Sequence, residues 1–231
     1  MVELFPEGFE EADTGAGVEL AAYTDAAGEE RIRAVFEGAA SQDVAADWAE
    51  RWRRFHRSVR VGPVWIGPPW EQPPGDGVTV VIDPGRAFGT GGHPTTRLCV
   101  ELLLELDRGA LLDIGCGSGV IAITAGKLGF APVVGIDREP QAVEATARNA
   151  AANEVRVEAR QGDVLHVPLP AADVAVANID VGTVTDLALR VTASSFVVSG
   201  YVVSASTELP GFRHADRRTC DGWAADLYVR E

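Results

Sequence analysis

Lysine is almost missing from this chain. Of its 20 basic residues only Lys127 is a lysine, and the rest are arginines. A Gly-x-x-x-x-Gly-Lys phosphate loop therefore has one place to form, and Ile121 stands there where the first glycine is required. Schiff-base chemistry would depend on Lys127 alone. Cysteine is scarce too. Cys99, Cys116 and Cys220 lie far apart, with no Cys-x-x-Cys pair and no Cys/His cluster at zinc spacing, so neither a metal site nor a disulfide framework is expected. Such usage suits a reducing cytoplasm. Positive charge is short overall: 34 acidic against 20 basic residues leave a formal net charge of −14. Proteins that neutralise phosphates carry a basic excess, so direct nucleic-acid docking is not expected, and a cationic protein is the better partner. No apolar run approaches the roughly 20 residues of a membrane helix. The first 15 residues are acidic and lack the basic-then-apolar order of a secretory signal.

What is present is loop punctuation and a regular alternation. Residues 1–50 hold 13 acidic and 2 basic residues, whereas 51–60 hold five arginines and no acid. Gly17–Thr24 reads as a strand and Gly28–Phe36 as a helix. Trp48, Trp52 and Phe55 fall on one face of a helix over 47–55, either packed as a connection or offered to a partner. Gly67-Pro68-Pro69 and Gln72 to Gly77 mark a boundary. Beyond it, β-branched runs at Val78–Ile82, Ala110–Ile114, Val133–Ile136, Val155–Ala159, Val174–Ala177 and Ser195–Ser199 alternate with helical segments. The helices fall at Pro94–Leu106, Gly119–Leu128, Pro140–Asn153 and Val181–Val191. This is the pattern of an α/β fold, a parallel sheet with helices on both faces. Phe212–Arg218 and Trp223–Arg230, joined at Asp221-Gly222, add a terminal antiparallel hairpin.

The chemistry gathers at the ends of these strands. In Asp113-Ile114-Gly115-Cys116-Gly117-Ser118-Gly119 a strand turns into a helix through Gly-x-Gly-x-Gly. Such glycines let a ligand approach the backbone and the free N–H groups of the helix start. The third glycine comes one residue earlier than in the dinucleotide fingerprint, which leaves less room for a pyrophosphate and resembles the spacing of S-adenosylmethionine (SAM) methyltransferases. Asp113 could accept from a cofactor ammonium group, directly or through water. Asp137 ends the next strand, 22 residues after Gly115, and is placed either to accept both ribose hydroxyls or to cap the following helix. Asp163, in Gln161-Gly162-Asp163, could accept from an adenine amino group or belong to a turn. Asn178 ends the fourth strand, where an amide oxygen can orient a substrate amine without adding charge. Asp180 could attract a cationic substrate or cap a helix. His93 is a conceivable general base, but a histidine beside proline at a helix start is more often structural.

The segments DPGRAFGTGGHPTT, LLDIGCGSGVIAI, VVGIDREPQAVEATARNAAAN and VAVANI resemble ribosomal protein methyltransferases of the PrmA type. The resemblance runs from about residue 44, through DWAERWRRFH and VWIGPPW, to the closing GWAADLYVR. The glycine loop is generic to SAM enzymes; FGTGxHPTT together with ANI is far more specific. The resemblance implies a seven-stranded Rossmann-like SAM methyltransferase sheet over 78–231, a linker helix and connection over 46–77, and a substrate-recognition unit over 1–45. That last unit is expected to be a partial, late-starting α+β domain of ferredoxin-like type. It further implies SAM as cofactor, contacts at Thr96, Gly115, Asp137 and Asn178, and trimethylation of amino groups on ribosomal protein L-eleven (L11). Gly92, Asp180 and Ser199-Gly200-Tyr201 depart from the family pattern. Two alternatives stand beside this reading: a lysine methyltransferase for another basic protein or a flavoprotein, and a non-catalytic SAM-fold protein.

Overall fold

The computed structural model describes residues 10–13, 18–21, 26–36, 38–41, 57–83 and 91–231. The chain divides into two units, Met1–Trp52 and Arg53–Glu231. In the first, β1 (Glu10–Asp13) pairs antiparallel with β2 (Val18–Ala21), and α1 (Ala26–Val35) follows. Glu29 and Arg33 pair across one turn of α1 at 2.6 Å, and both bond the Ser41 hydroxyl. The expected strand and helix are present with shifted ends, while β1 was not anticipated. The helix expected over 47–55 lies outside the described residues.

The second unit holds two sheets. The smaller contains β3 (Val59–Val61), β4 (Val64–Gly67) and β5 (Val78–Val81). The first two form an antiparallel hairpin across Gly62-Pro63, and β4 runs parallel to β5. The larger contains β6 (Leu111–Ile114), β7 (Val133–Asp137), β8 (Glu158–Gln161), β9 (Val174–Asn178), β10 (Ser195–Val202), β11 (Phe212–Cys220) and β12 (Trp223–Arg230). Their order is β11-β12-β10-β9-β6-β7-β8. Strands β8 to β10 in that order are parallel, and β12 runs antiparallel to both neighbours. The helices are α2 (Pro94–Glu105), α3 (Val120–Lys127), α4 (Pro140–Ala152) and α5 (Val181–Leu187). The seven-stranded α/β sheet with its terminal hairpin is therefore as expected.

Alternation along each strand builds two cores, one on each face of the large sheet. Val174, Val176 and Val197 enter one; Ala175, Ala177, Phe196 and Val198 enter the other. Because both faces are covered, the strands read as continuous apolar runs. One assignment needs correction. Val78–Ile82 is not a strand of the large sheet, since β5 pairs with β4 instead. A short apolar run says that a strand is buried but not which sheet takes it. Strand β8 also begins at Glu158, beyond the expected Val155. Among the described residues no helix is long and apolar enough to cross a membrane.

Candidate functional site

The chain proceeds outward from β6 through β7 to β8, then returns to β9 on the other side of β6. That reversal opens a crevice at the C-terminal ends of β6 and β9, where open parallel sheets bind ligands. The glycine loop lies at this edge. Gly115, Gly117 and Gly119 have φ of +77°, +54° and +83°, a backbone region other residues enter only at a cost. Two of them also have no room for a side chain. A Cβ on Gly115 would lie 2.6 Å from Ile179 Cγ2, and one on Gly119 would lie 2.9 Å from Thr146 Oγ1.

The loop is tied to β7. The Gly115 and Cys116 N–H groups donate to the Ile136 carbonyl at 2.8 and 3.1 Å. The Gly117 N–H donates to Asp137 Oδ2 at 2.9 Å, while Asp137 Oδ1 accepts from the Glu139 N–H at 3.0 Å. Asp137 thus joins the glycine loop to the strand end and also shapes the turn into α4. Its backbone carbonyl accepts from the Gly162 N–H at 2.8 Å, which brings the Asp163 segment to the same edge. The Asp163 carboxylate itself is exposed and taken up locally. It accepts from the Leu165 N–H at 3.0 Å and pairs with His166 Nδ1 at 2.7 Å. The Leu165 N–H, with His166 second, holds it below the usual carboxylate range.

On the other side of β6, Asn178 ends β9 and its Nδ2 donates to Thr96 Oγ1 at 3.4 Å. Thr96 is buried in the first turn of α2, so the fold brings together two positions that the sequence separates by 82 residues. The next residue, Ile179, is the one that packs over Gly115.

Three neighbours prove structural. His93 is the N-cap of α2: its Nδ1 accepts from the Thr95 N–H, and its ring meets Trp223 edge-on at 4.7 Å. Burial lowers its pKa, as does Arg97. Asp180 caps α5, accepting from the Thr183 N–H at 3.0 Å and the Thr183 hydroxyl at 2.6 Å. These bonds, the hydroxyl first, lower its pKa. The third is a correction. Asp113 is 1 % exposed, and its Oδ2 accepts from the Ala122 N–H at 3.0 Å inside α3. It supports the helix behind the glycine loop and does not face outward to a ligand's ammonium group. Burial pushes its pKa up to about 7; the Ala122 N–H opposes this and the nearby Asp137 adds to it. Burial likewise drives the Cys116 thiol in the loop to about 12, which leaves it unreactive. Among the described residues no cluster of His, Cys, Asp and Glu could hold a metal.

Sequence reasoning missed the polar face of α4. Thr146, Asn149 and the C-cap residue Asn153 are buried there, and Thr146 Oγ1 donates to the Gly117 carbonyl at 3.0 Å. Their i, i+3, i+7 spacing puts them on one helical face. That was the available signal, masked by the alanines around them.

A family model described as "Ribosomal protein L11 methyltransferase (PrmA)" matches residues 12–223. The ribosomal protein L11 methyltransferase of Herpetosiphon aurantiacus is 46% identical over 133 residues, covering 53% of this chain and 40% of that protein. That of Symbiobacterium thermophilum is 37% identical over 201 residues, covering 80% and 66%. The chain thus spans about two-fifths of the first relative and about two-thirds of the second. A crystal structure described as ribosomal protein L11 methylase from Lactobacillus delbrueckii subsp. bulgaricus superposes with a TM-score of 0.67 at 25% identity, over 76% of this chain and 100% of that one. Matched along nearly its whole length, the chain belongs to the ribosomal protein L11 methyltransferase (PrmA) family.

Proposed function

We propose that the chain is a cytoplasmic, SAM-dependent protein N-methyltransferase acting on amino groups of ribosomal protein L11. One observation carries the reading. The glycine loop with Asp137, and the Asn178–Thr96 pair, meet at one edge of the sheet, bridged by Ile179 against Gly115. The residues fit an adenosine-type cofactor. Gly115 and Gly119 let the loop pack directly against Ile179 and Thr146, where any Cβ would clash, and so fix the course of its backbone. The third glycine comes one residue earlier than in the dinucleotide fingerprint, which leaves less room for a pyrophosphate. Asp137 offers a carboxylate at the strand end, where ribose hydroxyls are accepted.

When bound, SAM supplies a methyl group activated by its sulfonium. The protein's share is binding and orientation. Asp137 would accept the ribose hydroxyls and the glycine loop would line the cofactor, with Asp163 on the adenine side. Asn178 commits its Nδ2 to Thr96. Its amide oxygen then serves to accept from the substrate amine and fix where the nitrogen lone pair points. Positioning of this kind supplies much of the rate in a transfer between two held partners. The amine reacts in its neutral form, its proton passing to solvent, so no strong base is required. The formal charge of −14 suits a basic ribosomal protein as substrate.

The test is methyl transfer from labelled SAM into purified ribosomal proteins, with mass analysis of the labelled band. Label on L11 is expected. Label elsewhere would overturn the substrate, and absence of SAM binding by calorimetry would overturn the cofactor. Asn178→Ala should lower turnover at least tenfold, about 1.4 kcal/mol of transition-state stabilisation. It should change SAM affinity far less, and the reverse pattern would reduce Asn178 to a cofactor contact.

A further inference from the structure

The buried face of α4 and its C-cap carry Thr146, Asn149 and Asn153 at 0%, 4% and 4% exposure, Asn153 being the cap. Buried polar groups are costly unless each finds partners. Here most partners are backbone groups, Cys116 Sγ at 3.4 Å from Thr146 Oγ1 being the exception, and outside the helix itself they belong to two different segments. Asn153 grips β5: its Oδ1 accepts from the Val81 N–H at 2.8 Å, and its Nδ2 donates to the Val81 carbonyl at 2.6 Å. Its Nδ2 also donates to the Asn149 carbonyl at 2.8 Å, one turn back on α4. Thr146 grips the glycine loop at the Gly117 carbonyl.

Asn149 alone of the three side chains bonds to both segments. Its Nδ2 donates to the Ser118 carbonyl, in the glycine loop, at 2.9 Å. Its Oδ1 accepts from the Asp83 N–H at 3.1 Å, and its Nδ2 reaches the Asp83 carbonyl at 3.4 Å. Asp83 opens the stretch that leads from β5 to α2, where Thr96 sits. An amide suits this position because it donates and accepts at once. A carboxylate would keep the Asp83 bond and set an oxygen against the Ser118 carbonyl.

We propose that Asn149 is a positioning residue for the cofactor: it locks the glycine loop and the Asp83 segment into one register, and through that register sets SAM affinity. This rests on the reading of the glycine loop as the SAM site. Asn149 does not touch the acceptor side, where Asn178 and Thr96 hold each other. Its loss should therefore raise KM for SAM and leave kcat at saturating SAM nearly unchanged. Asn153, bound only to β5 and to its own helix, should matter for stability and not for affinity.

The experiment compares full-length Asn149→Ala, Asn149→Asp and Asn153→Ala with the parent chain. By calorimetry, both Asn149 variants should bind SAM about tenfold more weakly, the equivalent of one lost hydrogen bond, while Asn153→Ala should stay within about threefold. Hydrogen exchange, read without cofactor, should speed up at the amides of 117–120 in both Asn149 variants, at the amide of 83 in Asn149→Ala, and not at 117–120 in Asn153→Ala. Equal SAM affinities in all variants, or equal loosening of the glycine loop by both asparagines, would overturn the proposal. So would a fall in kcat with KM unchanged. If Asn149→Ala fails to fold, the nearly isosteric Asn149→Asp decides. If the parent chain binds no SAM, the functional reading fails by itself, and the exchange pattern still shows whether Asn149 couples the two segments.

Discussion

Gly119→Ala is the most informative single substitution. Gly119 closes the glycine loop and caps α3 with φ +83° and ψ 8°. A side chain there meets two separate penalties. The left-handed backbone costs about 1–2 kcal/mol for a residue with a Cβ. The new methyl would also stand 2.9 Å from Thr146 Oγ1 and 3.0 Å from Thr146 Cα and Cγ2. Thr146 cannot swing aside: its hydroxyl is bonded to the Gly117 carbonyl, and one of the close atoms is helix backbone. Overpacking of this kind costs about 1–3 kcal/mol, so the total is about 2–5 kcal/mol. Gly129, just beyond the far end of the same helix, supplies the control. Its φ is +96°, and a Cβ there would meet nothing within 4 Å. Gly129→Ala should lose the backbone part alone, about 1–2 kcal/mol. The effect of alanine on the unfolded chain is common to both variants and cancels in their difference. Equilibrium urea denaturation of the two variants and the parent measures that difference, expected at about 1–3 kcal/mol. SAM calorimetry on the same samples should show weakened binding for Gly119→Ala only. Equal destabilisation by the two substitutions, or intact SAM affinity in Gly119→Ala, would refute the claim that the third glycine is set by its contact with α4.

Two further outcomes follow from the carboxylates. Asp113 has a folded-state pKa of about 7, above the ordinary carboxylate value, so the folded protein holds a proton that the unfolded chain has released. Its contribution is most favourable below about pH 4 and is lost as pH rises towards 7, at about 1.4 kcal/mol per pH unit. Asp113→Asn keeps an oxygen for the Ala122 N–H and should flatten this decline, being more stable than the parent at pH 8 and similar at pH 4. Parallel pH–stability profiles would show that Asp113 does not titrate this way. Asp137→Ala removes the acceptor of the Gly117 and Glu139 N–H groups together with the proposed ribose acceptor. A hydrogen bond to a charged group contributes about 1.5–3 kcal/mol, so SAM affinity should fall roughly ten- to a hundredfold, and an unchanged dissociation constant would remove Asp137 from the site.

Much of the fold was legible because local signals agreed with the global arrangement. Continuous β-branched runs between helical segments announce a sheet covered on both faces, and the hairpin at Asp221-Gly222 announces its antiparallel end. The glycine spacing and the position of Asp137 at a strand end were equally visible. The errors share one cause: they concern which neighbour a residue meets. Val78–Val81 is a strand as read, but its partner is β4, and nothing within the run specifies that. Asp113 is acidic and precedes the glycines, yet it turns into α3 and not towards the crevice. Asp180 was ambiguous until Thr183 was seen to occupy both its oxygens.

The sequence by itself determined the α/β class, the glycine loop and the family. These rest on spacing along one short stretch of chain, where residue type and backbone requirement coincide. Only the tertiary structure decided that Thr96 and Asn178 form a pair, that Ile179 closes over Gly115, and that Asn149 binds two backbone segments at once. These contacts join positions from about thirty to more than eighty residues apart. They are set by which strands lie side by side and which helix face is buried, and packing of the whole sheet fixes both.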